Sequence, residues 1–381
     1  MSNKNLGILA VVAAIMVLWA VVQSRLAHRS PGESSGPSYL IQGLETAQIA
    51  SIVVGHGDDA VTIQRRDQQF AVIEKAGYPA DPKRINDLIN KCLDIKTLES
   101  YTSSPRNHED LEVTEDKAQN VVKFLKADGA VLTGIIVGKA LEGGKGTYIR
   151  LASQDNVYLA ESVPYIRTTA IDYVNQEIVS VERTDVNSVR VTTPDGFYTL
   201  KPTPSADGVF MANLPDGKTL KEADARNVIG ALSSLRFDDV NTPSALGELS
   251  YDYLYVCRLN DSTEYRLRIA RKDGKAYLTC EAEFTDKTPV TMKPGQVESQ
   301  EELQKKEAKL QAQERAQRFT LRHRGWVYEI PEWKANSLTK PQADLLEDKL
   351  AISPPPDADS PSLPAIEAAD EPAPAADPNA G

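Results

Sequence analysis

Apolar and polar residues alternate along most of this chain in short runs, and the period of the alternation changes in a fixed order. Ile49–Val54, Ala60–Arg65 and Phe70–Glu74 read as half-buried strands of period two, punctuated by Gly and Asp as hairpins require. The period then lengthens. Ile85, Leu88, Ile89 and Cys92 form one apolar face at helical spacing and predict a helix over 81–97. Asp81 is a good N-cap for it, and Pro82 takes the first helical position, where a missing N–H costs nothing. Two β runs around Ala127-Asp128-Gly129 predict a hairpin, and Thr147–Glu161 predicts another.

The same order then returns. "VNSVRVTT" and "FYTL" read as strands, and a second helix is expected over 222–236, with Thr219 and Glu222 at capping-box spacing. Val228, Leu232 and Leu235 fall 143 residues after Ile85, Ile89 and Cys92. Further strands turn at Asp273-Gly274, and "VYEIPE" from Val327 answers "VYLAES" from Val157. The pattern predicts an α+β fold of two similar repeated domains, 39–172 and 173–350. Each would be a mostly antiparallel curved sheet with one main packed helix.

One departure interrupts the second copy. Tyr148 to Tyr277 is 129 residues and Tyr158 to Tyr328 is 170, so 41 extra residues sit inside its last hairpin. This charged helical insertion, at about 285–320, includes Val297–Phe319, a run without Gly or Pro. Glu301–Lys305, Glu302–Lys306 and Glu314–Arg318 stand at i,i+4. A helix of about 20 residues projecting from a sheet edge is expected. Its apolar stripe is thin: Leu303 and Leu310, with Ala308, Ala312 and Ala316 nearby. Such a helix either rests on its own domain or docks a partner, in which case Leu303, Leu310 and Arg315 are the candidate docking residues.

The ends of the chain differ in character from its body. Leu6–Val22 is an apolar run of seventeen residues, which as a helix spans about 25 Å, and Trp19 suits a membrane–water interface. No small-residue cleavage site follows it, so an uncleaved transmembrane anchor over 1–25 is expected, then a flexible stalk over 26–38. Lys4, Arg25 and Arg29 balance across the run. The short N-terminus favours a single pass through the inner (cytoplasmic) membrane, with the main domains in the periplasm or outside the cell. Residues 351–381 carry eight Pro and six acids without Lys or Arg, the composition of a disordered tail. The whole chain has 381 residues and a net charge of −11, which argues against a nucleic-acid surface.

No catalytic motif interrupts this pattern. His28, His56, His108 and His323 are far apart, and no Cys or His pair has metal-ligand spacing. Gly138–Gly146 imitates a phosphate loop, but Gly146 stands where Ser or Thr is needed and no helix follows. Cys92 belongs to an apolar face, and Cys257 and Cys280 lie in strands with a third strand between them. Asp58-Asp59 and Asp238-Asp239 read as surface carboxylates, and Arg322-His323-Arg324-Gly325-Trp326 as a strand end at the surface. No catalytic, cofactor-binding or metal residue is therefore expected, and the chain is not read as an enzyme.

The succession I-x-x-I-x-V, V-T-I-Q-R, F-x-V, "YPAD", a helix, a strand ending in Ile135–Lys139 and "VYLAES", all behind an anchor, resembles the bacterial family called domain of unknown function 4340. The resemblance runs over roughly residues 1–350. It implies a non-catalytic, membrane-anchored accessory or scaffold subunit of an ABC-type transport assembly, similar to those of gliding-motility type. The implied partners are a membrane permease and an ATPase. This chain lacks a nucleotide-binding signature and would not be the ATPase itself. The alternative is an extracytoplasmic binding module for a lipid, glycan or peptide.

Overall fold

A computed structural model describes residues 38–203, 208–290 and 299–349. The expected anchor and most of the stalk, at 1–37, and the acidic tail lie outside the described residues. Among the described residues no helix is long and apolar enough to cross a membrane.

The alternating runs of the first half become ten strands: β1 (Ser38–Tyr39), β2 (Ser51–Val54), β3 (Val61–Arg66), β4 (Gln69–Val72), β5 (Tyr78–Pro79), β6 (Lys96–Thr102), β7 (Asn120–Leu125), β8 (Val131–Ala140), β9 (Thr147–Leu151) and β10 (Val157–Ala160). They form one sheet in the order β1-β6-β10-β9-β8-β7-β2-β3-β4-β5, with every neighbouring pair antiparallel. Period two sets which side is buried: Ile52 and Val54 of β2 and Val61 and Ile63 of β3 all point into the core. Gly138 permits a close approach on β8, since a Cβ there would lie 2.3 Å from the Leu111 carbonyl oxygen.

The second half contributes β11 (Glu177–Val179), β12 (Val186–Thr193), β13 (Gly196–Pro202), β14 (Val209–Met211), β15 (Lys218–Leu220), β16 (Leu235–Arg236), β17 (Asp239–Asn241), β18 (Tyr253–Leu259), β19 (Thr263–Lys272), β20 (Lys275–Phe284), β21 (Val327–Ile330) and β22 (Leu346–Asp348). Eight of these form an antiparallel sheet in the order β14-β13-β12-β18-β19-β20-β21-β17. β11 pairs with β16 and β15 with β22 in two small ribbons. The fold is thus α+β in kind: mostly antiparallel sheets with a few helices.

The helices are α1 (Pro82–Leu93), α2 (Glu222–Ile229), α3 (Pro243–Leu246), α4 (Gln300–His323) and α5 (Glu332–Leu338). Asp81 caps α1, its carboxylate accepting from the Lys83 N–H at 2.9 Å. Ile85, Leu88, Ile89 and Cys92 are all buried, each aliphatic side chain contributing about 1.5–3 kcal/mol of burial.

The second helix departs from expectation in two ways. Thr219 does not cap it: Lys221 is the N-cap, with no side-chain bond, and Thr219 sits in β15 paired with Glu347. The helix also stops at Ile229, before Gly230. Leu232 and Leu235 are buried, but beyond the helix, with Leu235 in β16. The buried ammonium of Lys334 on α5 takes the carbonyls of Ala231 at 3.1 Å and Ser233 at 2.6 Å, just past the helix end. Burial lowers the pKa of that amine.

One contiguous apolar cluster holds residues of both large sheets, from Leu40 to Leu345. At their junction the Tyr78 ring packs edge-on against Phe237, Trp326 and Tyr328, at centroid distances of 5.8, 4.9 and 6.2 Å. Lys75 and Asp239 form an ion pair of 2.6 Å across the same boundary, and the Asp81 N–H donates to the Tyr173 carbonyl at 2.8 Å.

Candidate functional site

The inserted helix begins later and ends later than its composition suggested, at Gln300–His323 rather than Val297–Phe319. Ser299 and Glu302 close a capping box: the Glu302 N–H donates to Ser299 Oγ at 3.3 Å, and the Ser299 N–H to Glu302 Oε2 at 3.1 Å. Acids lie in the first turn and Arg322 and His323 in the last, as the helix dipole favours.

Rather than simply projecting, α4 lays its C-terminal half along β20. β21 pairs with β20 only over Ala276–Leu278, which leaves the rest of that edge without a strand partner among the described residues. Ala312 and Ala316 are buried against it, their small side chains letting the helix come close. Thr320 then does the work of a strand residue. Its hydroxyl accepts from the Ala282 N–H and donates to the Ala282 carbonyl, both at 2.8 Å.

Polar clips extend the hold. Lys309 lies 2.6 Å from the Asp286 carboxylate and donates to the Thr288 carbonyl at 2.5 Å. Hydrogen bonds from Lys309 and Thr288 hold the Asp286 carboxyl well below the usual carboxylate range. Arg315, a candidate docking residue, is engaged internally, 3.3 Å from Asp261 in the β18–β19 turn.

The other two candidates face solvent. Leu303 is 47% exposed and Leu310 51% exposed, and they are joined by Leu321 at 71%. At about 100° per residue these three leucines fall within roughly 20° of one line along the helix. That line is about opposite the Ala312–Ala316 face. Leu321 lies beyond Phe319, where the helix expected from composition ends; its spacing of 11 from Leu310 is the signal in the sequence that joins it to the stripe.

Beneath the end of α4, the segment expected at the surface is partly internal. His323 is only 2% exposed, and Trp326 packs on Tyr78. His323 Nδ1 lies 2.6 Å from the Tyr328 hydroxyl, which in turn lies 3.5 Å from that of Tyr78. Burial, aided by the neighbouring Arg322 charge, lowers the His323 pKa to about 4, so the ring is neutral at pH 7. Its Nε2 is buried without a well-aligned partner, and the nearby Ile178 backbone only weakly offsets the burial. Burial likewise raises the pKa of Tyr78 and Tyr328. A shallow groove of about 420 Å³ runs along this part of α4, lined by Arg315, Arg318, Phe319 and Arg322.

The remaining sequence candidates are not drawn together. His108 bonds the Asp155 carbonyl at 2.8 Å, and Asp58 and Asp59 lie in an exposed turn. Asp238 and Asp239 part company: Asp239 pairs with Lys75, while burial raises the Asp238 carboxyl. Gly138 belongs to β8, and Gly146 leads into β9 with no helix behind it. Cys92, Cys257 and Cys280 are free, buried thiols, and burial pushes the first two up to about 12. Among the described residues no group of three His, Cys, Asp or Glu side chains could hold a metal ion.

No curated protein and no solved structure matches this chain. Residues 71–253, from β4 to the start of β18, match the family model described as Domain of unknown function (DUF4340), which supports assigning this stretch to that domain family.

Proposed function

We propose that this protein is a non-catalytic scaffold that docks a partner through the outer face of α4, as an accessory subunit of an ABC-type transport assembly. The observation that carries the reading is the row Leu303, Leu310 and Leu321. A helix already fixed to its sheet by alanines, Thr320 and Lys309 has no internal use for three exposed leucines on the opposite side. Support for two copies of one unit comes from strand order. β6-β10-β9-β8-β7-β2-β3-β4 and β17-β21-β20-β19-β18-β12-β13-β14 trace the same path, with α1 and α2 at matching places in the chain. The apolar run Leu6–Val22 supports a membrane anchor, behind which the sheets would lie outside the cytoplasm.

The test is co-purification from gently solubilised membranes, comparing the native chain with a Leu303→Ser, Leu310→Ser, Leu321→Ser variant. The native chain is expected to recover a permease and an ATPase. The triple variant, equally folded by circular dichroism, is expected to lose both. Partners retained by the variant would rule out this docking face, and a native chain that comes down alone would rule out the scaffold reading.

A further inference from the structure

A second feature, built by elements other than α4, points to a ligand. α2, β18, β19, α5 and the segment following it line an open pocket of about 410 Å³, within the range of small-molecule sites. Its lining residues carry polar groups, Pro341 excepted, which disfavours a lipid tail or an apolar peptide. The two cations in it are already neutralised. The Arg271 guanidinium pairs with Glu332 and donates to Asn336 Oδ1 at 2.8 Å and Thr339 Oγ1 at 3.1 Å. Lys340 lies 2.6 Å from Asp224. With Asp344 adding a further negative charge to the lining, the described residues of the pocket offer no surplus positive charge to a phosphate or polycarboxylate.

What remains available is a balanced set of hydrogen-bonding groups. Asn336 has its oxygen committed to Arg271, which leaves its NH₂ group as a donor. The Asn227 amide and the Tyr253 hydroxyl make no side-chain hydrogen bond among the described residues. The Asp344 carboxylate accepts. Donors and acceptors side by side suit vicinal hydroxyls, each of which gives and takes one bond.

Outside this lining, one turn before Ser337 on α5, stands Trp333, whose carbonyl accepts from the Ser337 hydroxyl at 3.1 Å. Around the helix axis, at about 100° per residue, Trp333 falls between the pocket residues Asn336 and Ser337. Trp333 is 65% exposed, an unusual position for so large an apolar residue, with the Lys334 ammonium 4.9 Å from its ring centroid. We propose that this pocket is a saccharide-binding site. Asn227, Asn336 and Asp344 would read ring hydroxyls, and Trp333 would stack on the apolar C–H face of a pyranose. The guanidinium fixed by three acceptors keeps the wall in place before the ligand arrives.

The test is isothermal titration calorimetry on the purified full chain, in a detergent without a sugar headgroup. Glucose, N-acetylglucosamine, maltose and chitobiose are the probes, with inorganic phosphate and citrate as anionic comparators. Saturable binding of at least one saccharide is expected, weakened tenfold or more in Trp333→Ala and in Asn227→Ala. Both positions are exposed, and unchanged melting would show that the fold is intact. Absence of saccharide binding, binding of the anions only, or saccharide affinity unchanged in both variants would each overturn the assignment. None of these results depends on whether α4 docks a partner.

Discussion

His323→Asn separates the charge state of the buried ring from its packing. In the folded chain His323 titrates near 4, against 6.5 for the ordinary side chain. A depressed folded pKa means that the unfolded chain binds the proton first. Stability contributed by the neutral ring is complete above about pH 6.5 and is lost as pH falls from 6.5 towards 4. Each pH unit inside that window costs up to about 1.4 kcal/mol. Between pH 7 and pH 5 the loss assignable to His323 is therefore about 2 kcal/mol. Asparagine can present an amide oxygen where Nδ1 now meets the Tyr328 hydroxyl, and it does not titrate. It does give up ring contact with Phe319, whose centroid lies 4.4 Å away, so the variant is expected to be less stable at pH 7. The informative quantity is the difference of differences from urea unfolding at pH 7 and pH 5. Carboxylates elsewhere titrate alike in both proteins and cancel. The native chain should lose about 2 kcal/mol more than His323→Asn over this interval. Equal losses, within about 0.5 kcal/mol, would refute the buried neutral histidine.

Asp81→Ala should cost about 1 kcal/mol by removing the bond to the Lys83 N–H, measured as a lower urea midpoint with unchanged slope. Thr320→Val should cost about 1–3 kcal/mol, because it leaves the Ala282 N–H and carbonyl without their partner; faster trypsin cleavage at the arginines of α4 would report the loosened helix. The three cysteines should stay silent towards a thiol reagent at pH 8 in the native chain, since burial raises all three thiols, and should all react in guanidinium.

Much of this fold was legible because it is local. The α1 face needs only helical spacing, and Asp81 with Pro82 marks its start within two residues. The Asp273-Gly274 turn shows in the sequence because both residues take positive φ, which few others tolerate. The second helix misled for a non-local reason. Thr219 has cap spacing, but β22, about 130 residues later, claims it as a strand partner, and Gly230 stops the helix before the apolar spacing does. The buried end of α4 was hidden by its composition. Two arginines flanking His323 look like surface, and only Tyr328 and Phe319, brought together by folding, give the ring somewhere to go. Leu303 and Leu310 were visible as a sparse stripe, yet which side of the helix met the sheet followed from the alanines and Thr320. The pocket around Arg271 gathers residues from four separate elements and leaves no motif.

The shared junction has a consequence for synthesis. Tyr78 emerges from the ribosome 250 residues before Tyr328. At roughly 5–20 residues per second, its ring waits on the order of tens of seconds for that neighbour. During this interval the part of the first sheet that will meet the second half is covered only by what the first half itself supplies, chiefly α1. Chains that stall or end after about residue 180 are therefore expected to be more aggregation-prone than the full chain.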